Sequence, residues 1–355
     1  MTDAARPRMR TAVQLAAEAG PWPELVRYVV EAERLGVDHC WVAEAWGGDA
    51  ATPIAAIAQH ATRMTFGSGV FQVGGRSAAN TAMTALTLQR ITDGRFSLGL
   101  GASGPQVVEG LHGTPFARPL TRMRETIEVV RMAEAGEKLA LEGEQVRLPL
   151  PDGEGKALRL SLRPDGRPLP IYVASLSPRM LALTGEVADG WLGTSFIPEG
   201  SATSFAALAA GAERSGRTLA DLDLCQGAEV AFARNEAHLA EMVDARRPGL
   251  AFSLGGMGSA DTNFYNDAYA RQGYAEVAAE SQRLWLSGDR AAAAAVITDE
   301  MVLATTLIGP EERVAERLRT WWDTGITHVR LYPAGDTLDE RLDTLGRALE
   351  LVPGP

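Results

Sequence analysis

The sequence predicts an α/β protein built as a (β/α)8 barrel with two insertions, one after the fourth helix and one before the last βα units. Three observations lead there. Short apolar runs alternate with helical segments from one end of the chain to the other, the pattern of parallel strands in a buried sheet. Eight of those runs suit strands, with about as many helices between them. At 355 residues and 46% hydrophobic content, the chain can fill one large barrel core and still carry excursions. A doubly wound open sheet is the alternative topology, and the whole span 1–355 is read as a single domain.

The elements follow in order. Thr11–Leu15 reads as a strand, and Trp22, Leu25, Val26 and Val29 then recur at helical spacing behind Pro21 and Pro23. Val37–Ala43 is the second strand and Pro53–His60 the second helix. Met64–Val73, Ala78–Ile91 and Arg95–Leu100 continue the alternation, and Leu120–Ala135 is helical with Met123, Ile127 and Val130 on one face. Residues 140–168 break the rhythm with Pro149, Pro151-Asp-Gly and Arg163-Pro-Asp-Gly166, which reads as an inserted hairpin region. Ile171–Ala174, Pro178–Val187, Gly190–Gly193, Ser201–Ser215 and Leu222–Phe232 resume it. Residues 247–305 form a second, helical and glycine-interrupted insertion. A helix opening at Gly309-Pro310, the strand His328–Tyr332 and the helix Leu338–Leu351 close the chain.

Charge and cysteine usage exclude several classes. Lys and Arg number 34 against 45 Asp and Glu, a net charge of −11, so the chain lacks the basic field that nucleic acid or an anionic membrane requires. Two distant cysteines, Cys40 and Cys225, offer neither a disulfide framework nor a zinc site. No apolar run reaches membrane-spanning length and the N-terminus has no secretory pattern, so a cytoplasmic location is expected. The five histidines never fall in a metal-ligand spacing, and no metal is expected.

Several motifs carry chemistry. Gly99-Leu-Gly101-Ala-Ser-Gly104 matches a dinucleotide-binding turn in spacing, but three βα units precede it and Pro105 stands where the phosphate-binding helix would open. In a barrel these glycines, like Gly67 and Gly69 in the third strand, permit close approach to a flat ligand, or else form a plain turn or a bulge. Ser177-Pro178 is a good helix start with Arg179 nearby, suited to capping and to anion binding. Thr194 stands on the same rim. Glu44 and Glu109 follow the second and fourth strands, where barrel chemistry is placed, although such carboxylates are more often simply solvated. Asn263-Phe-Tyr-Asn266 is a polar-aromatic cluster that suits a lid or a packed corner.

Taken together, Arg95–Gly110 and Gly185–Gly193 resemble the bacterial luciferase-like superfamily, and within it oxidoreductases that use the deazaflavin coenzyme F420. Trp41–Trp46 and the Met257–Asn266 region share the resemblance, which covers nearly the whole chain. It implies a TIM barrel with the deazaflavin at its C-terminal mouth and hydride transfer to or from a small organic substrate. It also implies a bulge with a non-prolyl cis peptide at Gly69-Val70 behind the ring, and Ser103, Gly104 and Gln106 along the ring edge. The coenzyme phosphate would lie on Ser175, Leu176, Ser177 and Pro178, with Thr194 near.

Relatives often carry a histidine after the acidic residue that ends the second strand; here Glu44 is followed by Ala45-Trp46. By elimination, proton traffic falls to Glu44, Glu109, His112 or water, and Trp46 walls the substrate pocket. The resemblance, with the apolar helix around Met83, Leu86 and Leu88, implies a homodimer. An FMN-dependent monooxygenase and a non-catalytic flavin-binding barrel are the alternatives.

Overall fold

The computed structural model describes residues 7–162 and 166–354. Met1–Arg6, Arg163–Asp165 and Pro355 lie outside the described residues, and with them part of the expected N-terminal segment and of the Arg163–Gly166 turn. Eight parallel strands close on themselves: β1 (Arg10–Leu15), β2 (His39–Val42), β3 (Thr65–Ser68), β4 (Phe96–Gly101), β5 (Ile171–Ala174), β6 (Gly190–Leu192), β7 (Asp223–Phe232) and β8 (His328–Pro333). Val13 sits opposite Cys40, Cys40 opposite Phe66 and Leu98 opposite Ile171. Closure comes from Cys225 against Leu192 on one side of β7 and against His328 on the other. This is the expected barrel, and its eight strands are the eight apolar runs of the sequence.

Helices follow their strands as α1 (Trp22–Leu35), α2 (Ala51–Ile57), α3 (Ala78–Ile91), α4 (Pro119–Glu134), α5 (Pro178–Val187), α6 (Ala202–Arg214), α7 (Glu311–Asp323) and α8 (Leu338–Glu350). α1 shows why. Leu25, Tyr28, Val29 and Ala32 form its buried face, Pro21 and Pro23 bracket its first turn, and Gly36 ends it at φ 105°, a conformation that costs glycine least. Of the residues behind the expected dimer, Met83 is 52% exposed, but Leu86 and Leu88 are buried in the protein's own core.

The first insertion contains the two-stranded hairpin Leu141–Glu142 with Arg147–Leu148. Its tight turn is held by Glu125 of α4, whose carboxylate accepts the backbone N–H groups of Glu144, Gln145 and Val146 at 2.7–2.8 Å. The second insertion begins earlier than residue 247, because the helix Glu236–Ala251 continues without a break through Pro248. It has its own core, in which Met242, Val243, Leu254, Tyr269 and Met301 meet. A three-residue strand, Leu307–Gly309, then pairs with the C-terminal end of β7; it is too short to show in the sequence pattern.

The barrel's lower end is polar. Asp223 accepts hydrogen bonds from Arg10 at 2.9 Å, Tyr172 at 2.7 Å, Thr327 at 2.6 Å and His328 at 3.2 Å. Burial alone would lower the His328 pKa, but Cys225 and Asp223 outweigh it and push it up to about 9. His39, buried beside the positive charge of His328 and Arg10, is held well below its ordinary value. These residues open their strands, at the end opposite the mouth, where barrel residues serve stability.

Candidate active site

The floor of the mouth is set by one large side chain. Trp41 of β2 is fully buried inside the barrel, 4.2 Å from the His39 ring and 5.0 Å from Tyr172 between centroids. Gly67 makes room for it, since a Cβ there would fall 2.4 Å from the Trp41 ring; Gly99 makes room for the third strand, since a Cβ there would fall 1.9 Å from the Ser68 carbonyl. These two glycines therefore serve close packing within the barrel, which corrects their reading as space for a ligand.

Above Trp41 the third strand breaks. The Gly69–Val70 peptide is cis, as the resemblance implies. The Gly69 N–H donates to the Val42 carbonyl at 2.7 Å, and the chain resumes as the pair Phe71–Gln72 alongside β4. Ser68 fastens the bulge to β4, its hydroxyl donating to the Gly99 carbonyl at 2.9 Å and accepting the Gly99 N–H at 3.0 Å. Gly69 and Val70 are left partly open to the mouth.

One side of the rim is an ion pair. Glu44 meets Arg76 at 2.9 Å and accepts the Ala50 N–H at 3.0 Å, with both charged side chains largely buried. Arg76 also lies 4.3 Å over the Phe71 ring, and Gln72 donates to the Ala45 carbonyl at 2.6 Å. The loop after β2 is thus tied to the bulge and to the start of α3. Trp46 is 59% exposed at its edge.

The opposite side gathers hydroxyl, amide and guanidinium groups. Leu176, Thr194, Ser195 and Ser204 share a pocket with Arg271 and Gln272, which the second insertion brings back over the mouth. The Arg271 guanidinium donates to the Leu176 carbonyl at 3.0 Å. Burial pushes its pKa down, against the pull of Asp267, and among the described residues no carboxylate lies within 4.0 Å of it. Gln272 bridges the Ser195 carbonyl at 2.8 Å and the Ile197 N–H at 2.7 Å, fixing a loop in which Ser195 adopts φ 54°. Ser103, on the rim loop after β4, is likewise left-handed at φ 58°. Non-glycine residues in that region cluster at ligand sites.

Residues 7–328 match the luciferase-like monooxygenase family. A Mycobacterium tuberculosis protein named as a coenzyme F420-dependent oxidoreductase is 36% identical over 90% of this chain and 94% of its own length. The chain belongs to the luciferase-like monooxygenase family. In fold it is similar to the coenzyme F420-dependent tetrahydromethanopterin reductase of Methanopyrus kandleri, with TM-score 0.79, 21% identity and coverage of 96% and 97% of the two chains. It is also similar to an F420-dependent secondary alcohol dehydrogenase solved with an F420–acetone adduct, with TM-score 0.76, 15% identity and coverage of 98% and 99%.

The residues singled out from the sequence differ in where they lie. Gly69, Val70, Leu176, Thr194 and Glu44 reach the mouth. Ser177 caps α5, accepting the Met180 N–H at 3.4 Å, with Pro178 exposed behind it. Ser175 departs from expectation: its hydroxyl is buried and bonded to Thr184 at 2.9 Å. Gln106, Glu109 and His112 are exposed on the loop after β4. Glu109 accepts the Phe116 N–H at 3.1 Å, and a Cβ at Gly75 would lie 2.8 Å from the His112 ring, so this loop folds against the start of α3. Ser103 and Gly104 lead into it, Gly104 directly preceding the short helix Pro105–Val108. The sequence reading missed Arg76, Arg271 and Gln272. The glycine pair Gly74-Gly75 directly before Arg76 was a signal; Arg271 carried none beyond its helix.

Proposed function

We propose that the protein is a coenzyme F420-dependent oxidoreductase that exchanges a hydride between the deazaflavin and a small organic substrate. The observation that carries this reading is the pairing of an open bulge at Gly69–Val70 with an anion pocket across the mouth, where Arg271 has no carboxylate partner. A planar ring and a phosphate on one molecule need those two features together, and the 36% identity to a protein named as F420-dependent supports the choice of coenzyme.

Gly69 and Val70 would back the ring, and Ser103 and Gly104 would lie at its edge. Thr194, Ser204, Arg271 and the capped start of α5 would receive the phosphate, since a cation and free N–H groups both favour a dianion. When bound, the deazaflavin supplies a carbon that gives or takes a hydride. Glu44 acts as a positioning residue: paired with Arg76 and bonded to Ala50, it holds the loop that carries Trp46 over the substrate side. His112 and Glu109, on a loop packed against Gly75, are the groups free to exchange protons with solvent and substrate.

The test is a fluorescence-quenching titration of purified protein with F420 and with FMN. Tighter binding of F420 is expected. Tighter binding of FMN would transfer the protein to oxygen chemistry, and binding of neither would remove the coenzyme site.

A further inference from the structure

At the C-terminal ends of β1 and β8 lies a cavity of about 210 Å³ outside the coenzyme pocket. Gln14 and Tyr332 form its barrel side, with the tyrosine hydroxyl 3.4 Å from the Gln14 Oε1. Ala16, Pro333 and the edge of Tyr28 form its apolar lining, and Arg341 of α8 enters from the helix side. Arg341 sits 5.8 Å from the Tyr28 ring centroid, and its Nε is buried with no hydrogen-bond partner.

That guanidinium is unlike the others. The remaining partly buried arginines have partners: Arg10 with Asp223, Arg76 with Glu44, Arg131 with Asp189, Arg271 with the Leu176 carbonyl and Arg330 with the Gly193 carbonyl are examples. Among the described residues, Arg341 is the partly buried arginine whose side chain has neither a hydrogen bond nor an ion pair. Glu24, exposed at the cavity's outer edge, is not within 4.0 Å of it. The Arg341 Nε is unpaired although buried, and a forked cation facing a cavity is matched by a carboxylate.

We propose that this cavity receives a carboxylate of the substrate, bound by Arg341, with Ala16, Pro333 and the edge of Tyr28 against the adjoining carbon skeleton. The inference rests on the reading of the mouth as a coenzyme site, because β1 and β8 lie across the barrel from the phosphate pocket and leave this cavity to the second reactant. It makes Arg341 a specificity-determining residue.

The test uses the protein with and without added F420 and two probes of one shape, benzoate and its neutral isostere benzamide, titrated by ligand-observed NMR. Benzoate is expected to bind at least tenfold more tightly. Arg341→Met is expected to erase that preference and Arg341→Lys to retain part of it, with melting temperatures confirming that each variant is folded. Equal binding of the two probes by wild type, or a preference that survives Arg341→Met, overturns the proposal. F420 titration of the same samples separates the two readings: normal coenzyme affinity without a carboxylate preference removes this inference alone. A preserved preference without coenzyme binding removes the proposed function alone.

Discussion

Replacing Arg271 with methionine keeps most of the side chain's length and removes its charge from the anion pocket. The structure sets the size of the effect. Arg271 holds one hydrogen bond, to the Leu176 carbonyl, and no carboxylate, so its charge is free for a ligand. A unit charge pair at contact distance is worth about 4 kcal/mol at the effective dielectric of a protein surface. Arg271 is only partly buried, and halving for solvent leaves roughly 2 kcal/mol, which is about a thirtyfold loss of affinity. Fluorescence titration with F420 at low and moderate salt should show that loss, together with a weaker salt dependence than wild type. Arg271→Lys should recover part of it, because the charge returns without the fork. The melting temperature should barely move, since a single hydrogen bond from the side chain to the Leu176 carbonyl is lost. A coenzyme Kd within threefold of wild type in Arg271→Met would refute the placement of the phosphate.

Three further outcomes are expected. Ser177→Asp keeps a competent cap for α5 but adds a negative charge to the anion side of the mouth; stability should hold while F420 affinity falls at least tenfold, and unchanged affinity would move the phosphate elsewhere. Glu44→Gln breaks the ion pair with Arg76, leaving a largely buried guanidinium uncompensated at a cost of about 2 kcal/mol; urea melts should register it, and turnover should fall more than coenzyme affinity. Stability should also peak between mildly acidic and neutral pH. His328 is raised to about 9 in the folded protein by Cys225 and Asp223, so its interactions with them contribute fully below the unfolded value near 6.5. That contribution, on the order of 2 to 3 kcal/mol, is lost as pH rises toward 9. His39 is depressed, so its contribution is present above about 6.5 and lost as pH falls. Urea denaturation at intervals from pH 5 to 9 reads both limbs, and a flat profile would contradict them.

The barrel was legible because each of its strands is buried on both faces, which writes it into the sequence as a short apolar run between helical segments. The bulge at Gly69–Val70 showed through the resemblance and through glycines that no strand needs. What the sequence could not show is what fills the space above a glycine: Gly67 and Gly99 looked like room for a ligand, and Trp41 occupies the one and the Ser68 carbonyl the other. Ser175 and Ser177 are two residues apart and chemically alike, yet one faces Thr184 inside the protein and the other caps a helix. Arg271 reaches the mouth only because a long insertion with its own core folds back across it, and Arg341 matters because of partners it lacks. Neither property is local.

The seating of Trp41 against Gly67 has an evolutionary consequence. The two positions are coupled: with tryptophan in place, any side chain at 67 collides, at a cost of roughly 1–3 kcal/mol for overpacking, whereas a smaller residue at 41 would leave a void that such a side chain could enter; position 99 stays closed in either case, because the Ser68 carbonyl stands over it. Single steps away from the Trp41–Gly67 pair are penalised more than concerted ones. Descendants of this chain should therefore diversify through the loops and helices around the rim, where Arg341 and Trp46 stand, long before the plug beneath the bulge changes.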